Sequence, residues 1–375
     1  MMRFDRQLIA NFEWLLPTAT AAICAFGIAT LYSATYDPSG EVSPIVMRQL
    51  AWLGIGASIM LLVLVVDYRT LDRFAYVLYG LGLVMLLMVP FAGVVGGGAQ
   101  RWLRIGPFAV QPSEFMKLLL VLALARYFSR VPPAPRGLGV QRGILVPLAI
   151  AAPAAAVILL QPDLGTVCVL LIIAVSMSLI AGARLMPFVT VFAGGLASGP
   201  VLWHYLKPYQ QQRILTFLDP ERDPLGAGYH IIQSRIAVGS GELWGKGFLH
   251  GTQNQLHFLP EQHTDFIFSV FAEEWGFIGG VTLLGLYLIL LLRGLLIVSR
   301  SRDTFGALVC VGVVSTIFWQ LATNVGMTTG LLPVVGIPLP LFSYGGSSLI
   351  TLLTGIGIVM NVHMRRFRFT RGGAL

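Results

Sequence analysis

The sequence predicts an all-α polytopic membrane protein of about ten transmembrane helices, with a large extracytoplasmic loop between spans seven and eight. Three observations carry that prediction. Hydrophobic residues fill 56% of the 375 positions and charged residues only 11%, at a mean hydropathy of +0.78, whereas a soluble domain carries about 25% charge. Apolar runs of about 20 residues recur along the chain, the length that crosses roughly 30 Å of hydrocarbon. The runs do not alternate between apolar and polar positions, as the strands of a membrane barrel would.

In order, the spans are predicted near 12–33, 47–66, 74–92, 112–129, 143–160, 164–182, 187–206, 266–291, 304–326 and 346–363. The first follows Arg3 and Arg6, lacks a cleavage site and heads a series of spans, so it is read as retained and not as a signal peptide. The connection after it carries Asp37 and Glu41, with no base until Arg48. Basic clusters then recur on alternate connections: Arg69 and Arg73, then Arg130, Arg136 and Arg142, then Arg184, then Arg300 and Arg302, and the tail Arg365, Arg366, Arg368 and Arg371. If the spans alternate, these clusters and the N-terminus share one side, which holds most of the 25 lysines and arginines. The positive-inside rule makes that side, and both termini, cytoplasmic. The net charge of +8 is thus a topology signal, and nucleic acid is not an expected partner. Cys24, Cys168 and Cys310 lie inside apolar runs and read as small buried hydrophobes, without the spacing of a disulfide framework or a metal cluster.

The chain, 1–375, reads as one integral membrane domain whose loop at about 207–264 lies outside the cytoplasm. Within the loop, Tyr229–Val238 has the spacing of an amphipathic helix lying on the bilayer surface, and Gly239–Gly247 is turn material. No internal repeat is present. Leu332–Pro340 holds three prolines and cannot be regular helix, so at membrane depth it must be shielded by protein or water.

Several ionisable groups gather on the outer side. Arg48 opens the second span, Glu114 and Lys117 fall in the first turns of the fourth, and Asp163 sits in the tight Gln161-Pro162-Asp163 connection. Asp265 stands where the polar loop meets the eighth span. A carboxylate there is expensive to dehydrate, which favours a functional role; the plainer reading is a helix N-cap supplied by Thr264 or Asp265. Charges from several spans facing one carboxylate form a pattern that suits an anionic, membrane-embedded substrate. His230, His250, His257 and His263 share the loop without a zinc spacing. Ser347 in Tyr344-Gly345-Gly346-Ser347-Ser348 has no companion histidine motif and reads as a broken helix end lining a cavity, not as a nucleophile.

Six ordered motifs, GAQRWL (98–103), QPSE (111–114), QPDLGT (161–166), DPLGAGYHIIQS (223–234), LPEQHTDFIF (259–268) and LPVVGIPLPLFSYGGSS (332–348), together resemble the SEDS family of bacterial cell-wall proteins, and residues 333–340 resemble its elongation branch. The likeness spans almost the whole chain. It implies a ten-span peptidoglycan glycosyltransferase of the bacterial inner membrane that polymerises lipid II beside a class B penicillin-binding protein. Asp265 matches the family's essential aspartate, and Arg48, Lys117 and Asp163 match further polar positions. His257 stands where relatives often carry Glu, so a carboxylate role there falls to Glu261 or to a protonated His257.

Such a reaction joins a sugar hydroxyl to an anomeric carbon as pyrophosphate leaves, with inversion. It needs one base opposite the leaving group, and Asp265 is the candidate. Preorganised cations stabilise the leaving group by roughly 3 kcal/mol each; the candidates are Arg48, Arg101, Lys117, Arg213 and Lys246, with Asp163 and Glu261 as further substrate-binding residues. A divalent cation, Mg or Mn, shared between Asp265 and the pyrophosphate is the second route. A lipid-precursor flippase is the rival reading, because broken helices and intramembrane charge also characterise transporters. Its weakness is that the charges sit toward the outer half and not the midplane. A non-catalytic scaffold has no need of them.

Overall fold

A computed structural model describes residues 12–36, 41–96, 99–106, 108–132, 134, 137–205, 211, 215–223, 227–255 and 262–366. Its principal helices are α1 (Leu15–Ala34), α2 (Pro44–Val65), α3 (Tyr68–Ala92), α4 (Pro112–Arg130), α5 (Gln141–Leu160, whose first turn is π), α6 (Leu164–Ile180), α7 (Leu185–Ala197), α8 (Ala227–Ser240), α9 (Ile267–Arg300), α10 (Thr304–Thr328) and α11 (Gly346–Arg365). Each of the ten predicted spans overlaps a helix in this set, α8 being the loop helix. Seven of the helices, α1, α2, α3, α5, α9, α10 and α11, are long and apolar enough to cross a membrane, and α6 and α7 are shorter apolar helices. The chain is therefore a multi-pass helical membrane protein.

Local chemistry sets the helix starts. Asp67, Asp163 and Asp303 cap α3, α6 and α10, accepting from Arg69 N, Thr166 N and Gly306 N at 3.1, 3.2 and 2.7 Å. Each satisfies an amide that lacks an intrahelical partner. The centre of the bundle is α10 and α11, whose apolar windows are 67% and 89% buried. Around them α11 packs on α2, α10 on α4, α6 and α9, and α9 on α1. At the opposite extreme α7 buries none of its residues. With 13 residues it rises only about 20 Å, short of the predicted span 187–206.

Three features depart from the predicted all-α pattern. Residues 93–110, expected as loop, form a three-stranded antiparallel sheet of β1 (Gly93–Gly96), β2 (Ala99–Ile105) and β3 (Phe108–Val110), with Val94 opposite Trp102 and Leu103 opposite Val110. The strands are too short for their alternation to register in the sequence, and they carry Arg101 and Trp102 to the mouth of the bundle. The segment Tyr229–Val238 is helical as predicted, but its buried face is turned to protein. It packs on α9, with Ile231, Ser234 and Ala237 buried, and the Ser234 hydroxyl meets Ser269 Oγ and Thr328 O, both at 2.7 Å. Those bonds let a polar residue sit on the packed face, which blurs the amphipathic pattern.

The third departure concerns the eighth span. α9 is broken at Gly276, which adopts φ 64° and ψ −164°. Residues 267–275 form a short helix inside the protein, and the long apolar helix runs on from residue 277 to Arg300. The amides of Phe277 and Ile278, freed by the break, donate to Glu242 O and Leu243 O at 2.8 and 3.2 Å. The predicted start at 266 is thus about ten residues early.

Candidate active site

Asp265 lies in the turn 262–266 that leads into the short helix. The cap position of that helix belongs to Phe266, which makes no side-chain cap, so neither Thr264 nor Asp265 occupies the N-cap site. The turn is fastened to the irregular segment between α10 and α11. Ser343 Oγ donates to Thr264 O at 2.7 Å and Tyr344 N to His263 O at 3.0 Å. Asn324, fully buried on α10, donates from one amide nitrogen to both Asp265 O (2.9 Å) and Ile337 O (2.8 Å). Gln49 on α2 closes the far end, donating to Ser343 O at 3.1 Å and accepting from Gly345 N at 3.2 Å. The proline-rich segment is therefore non-helical, as expected, and protein side chains satisfy its backbone. At Gly336 (φ +72°) an added Cβ would stand 3.3 Å from Asp265 Oδ2, which shows how closely the carboxylate approaches this segment.

Replacing Asn324 by Leu leaves two carbonyls without their donor, each costing about 1–3 kcal/mol when buried. The Asn324→Leu protein is expected to unfold at lower temperature in detergent and to lose activity through a displaced Asp265. A wild-type melting curve would show the clamp to be dispensable.

Asp265 faces a cavity of about 360 Å³. Its opposite walls are the starts of α4, α6 and α11, together with Arg101 and Trp102 of β2. Lys117 and Glu114 are buried and ion-paired at 2.6 Å, while Glu114 Oε2 has no partner among the described residues. Breaking such a pair by removing one member leaves an uncompensated charge, at a cost of about 3–5 kcal/mol. Asp163 is buried and bonded to Thr166 Oγ1 at 2.9 Å, and Gln111 Nε2 approaches it at 3.5 Å. Arg101 donates to the carbonyls of Gln161 (3.0 Å) and Pro162, which anchors the sheet over the α5–α6 turn. Gln111 N donates to Ser347 Oγ at 2.9 Å and ties the start of α4 to the start of α11. Three helix N-termini thus converge here, each presenting partial positive charge.

The structure brings together Asp265, Arg101, Lys117 and Asp163. It does not bring in Arg48, which is exposed near the start of α2 and does not line the cavity. Lys246 lies behind the short helix, paired with buried Glu273 at 2.6 Å and bonded to Thr252 Oγ1 at 2.8 Å. Arg213, His257 and Glu261 fall outside the described residues. Cavity residues that the sequence did not single out as ligands are Thr166, Tyr344, Ser347 and Ser348.

The profile of the FtsW/RodA/SpoVE cell cycle proteins matches residues 13–367. The chain belongs to this family. It is 42% identical to the peptidoglycan glycosyltransferase MrdB of Escherichia coli K12 over 344 residues, 90% of either chain. It is 40% identical to the stage V sporulation protein E of Bacillus subtilis, across 93% of this chain and 96% of that one. Among solved structures, a chain of a peptidoglycan synthase complex that coordinates polymerization and crosslinking superposes with a TM-score of 0.81 at 36% identity, covering 95% of this chain and 99% of its own. RodA of Thermus thermophilus superposes at 0.70 with 33% identity, covering 95% and 98%. These values carry the family's fold onto this chain over nearly its full length.

Proposed function

We propose that this protein is a peptidoglycan glycosyltransferase that polymerises lipid II into glycan strands during cell elongation. The observation that carries the proposal is a single cavity holding Asp265 on one wall and the buried Lys117, with three helix N-termini, on the others. Relatives covering nearly the whole chain bear the glycosyltransferase name. In this reading Asp265 takes the proton of the attacking sugar hydroxyl. Lys117 and Arg101 meet the charge that grows on the departing pyrophosphate, preorganised where little water competes. Among the described residues no three carboxylate, histidine or cysteine side chains converge as a metal site requires. No step is routed through a cation.

Reconstitution of the purified protein with lipid II tests the reading. Glycan strands resolved by gel electrophoresis are the expected product. Lipid translocation without strands would identify a flippase, and neither outcome would leave a scaffold.

The proposal extends to placement. All ten predicted spans cross the bacterial inner membrane, both termini are cytoplasmic, the loop 207–264 is external, and the partner is a class B penicillin-binding protein. The distribution of arginines supports this orientation. Single cysteines placed at Ser240 and Arg371, probed with an impermeant thiol reagent in intact spheroplasts, are expected to label at 240 only. Labelling at 371 alone would invert the topology.

A further inference from the structure

The short helix 267–275 ends at the Gly276 break, where its last carbonyls lose their intrahelical partners. The segment 241–253 supplies the missing donors. Lys246 N and Gly247 N donate to Glu273 O and Glu274 O, both at 3.0 Å. The two backbones meet so closely that a Cβ at Gly245 would stand 2.1 Å from Glu274 O.

An ion pair reinforces this backbone contact. Glu273 is fully buried, and its Oε1 accepts from Lys246 Nζ at 2.6 Å, Thr252 Oγ1 at 3.1 Å and Gln253 N at 3.2 Å. All three donors belong to the segment 246–253, so one carboxylate gathers that segment against the end of the helix. A buried carboxylate that loses its cation is left uncompensated, and the backbone carrying it is driven to move. Here the same piece of backbone leads to Asp265. Its two ends are fastened to the end of α1, where Ser33 Oγ bonds Glu274 Oε1 and Gln262 Nε2 donates to Ala34 O at 2.8 Å. Ile267, Phe268, Val270 and Phe271 between them are buried, so a displacement at Glu273 is transmitted to the turn that holds Asp265. Lys246 itself does not line the cavity.

We propose that Lys246 and Glu273 are positioning residues for the transfer: their ion pair fixes the far end of helix 267–275 and thereby sets where Asp265 stands in the cavity. The inference rests on the reading of Asp265 as the base. It gives Lys246 an indirect role in place of contact with the leaving group.

Lys246→Met keeps the length of the side chain and removes its charge. With the partner protein present, kcat for strand synthesis is expected to fall about 10-fold or more, because a base displaced by as little as about 1 Å reacts far more slowly. KM for lipid II is expected to stay at the wild-type value. Lys246→Arg, which can still pair with Glu273, is expected to restore most of the rate. The link to Asp265 is read in a double variant. Once Asp265→Asn has removed the base, Lys246→Met is expected to lower the residual rate no further, since residues that act as a unit are not additive. A raised KM at unchanged kcat makes Lys246 a substrate ligand, and a further loss in the Asp265→Asn background gives it a role independent of the base. Either result overturns the proposal, as does a wild-type kcat.

Hydrogen exchange on the same full-length protein supplies a readout free of turnover. Lys246→Met is expected to speed exchange of the amides of residues 262–275 by about 10-fold and to leave those of α10 and α11 at the wild-type rate. Unchanged exchange in 262–275 overturns the proposal whether or not strands form. Absence of strands from the wild type defeats the glycosyltransferase reading instead, and exchange still decides whether the pair holds the helix. If Lys246→Met does not fold, Thr252→Val takes its place by removing one donor to Glu273. Its kcat is expected to drop about 3-fold, the scale of one neutral hydrogen bond, at constant KM and with faster exchange in 262–275. Wild-type kcat and exchange in that variant overturn the proposal.

Discussion

Asp265→Asn is expected to lower glycan synthesis from lipid II by roughly 100-fold or more, the scale of a lost acid–base group. The substitution keeps the size of the side chain and removes its charge and basicity. It leaves the clamp on the local backbone untouched, because Asn324 bonds the carbonyl of residue 265 and not its side chain. Helix capping does not confuse the outcome either, since the cap position is Phe266. Melting temperature should therefore stay near that of the wild type while activity collapses. The assay compares strand formation by the purified variant and the wild type at matched amounts, with the partner protein present. Strand synthesis at a near wild-type rate would remove Asp265 from the chemistry and move the search to Glu114, whose buried Oε2 has no partner among the described residues, or to Asp163.

How much of this was legible beforehand depended on the kind of residue. Lys117, Asp163 and Asp265 stood out because an ionisable group beside an apolar run is costly unless it is used, and the cavity contains all three. The same logic flagged Arg48 and Lys246, which the structure places elsewhere. One is exposed near a helix start and the other is paired with Glu273 away from the cavity, and only tertiary packing distinguishes these fates. Neutral polar residues were harder to read. Asn324, Ser347 and Ser348 each have a bland role as buried residues of a packed span, and no spacing rule ties Asn324 to Asp265 across 59 positions. The sheet 93–110 escaped because its strands are short, and the break at Gly276 because the residues that follow it are as apolar as any span.

That break carries the second large prediction. Gly276→Ala is expected to destabilise the protein by about 3 kcal/mol or more, because ψ near −164° at positive φ is a region open almost solely to glycine. Space is lacking as well: an added Cβ would stand 2.3 Å from Gly245 N and 2.8 Å from Gly241 O, both backbone atoms that cannot swing aside. Relief requires either straightening the helix or pushing the 241–247 turn away. Straightening would withdraw the Phe277 and Ile278 amides from Glu242 and Leu243, and would swing residues 267–275 out of the core together with the Asp265 turn that precedes them. Gly280→Ala supplies the control on the same helix, since nothing lies within 4 Å of a Cβ there and alanine gains up to about 1 kcal/mol over glycine in helix propensity. Thermal unfolding in detergent should show the Gly276 variant melting well below wild type and the Gly280 variant at or above it. Strand synthesis should fall only in the former. Equal melting of the two variants would mean that the chain passes residue 276 as ordinary helix, and the short buried helix would lose its separate role in presenting Asp265 to the cavity.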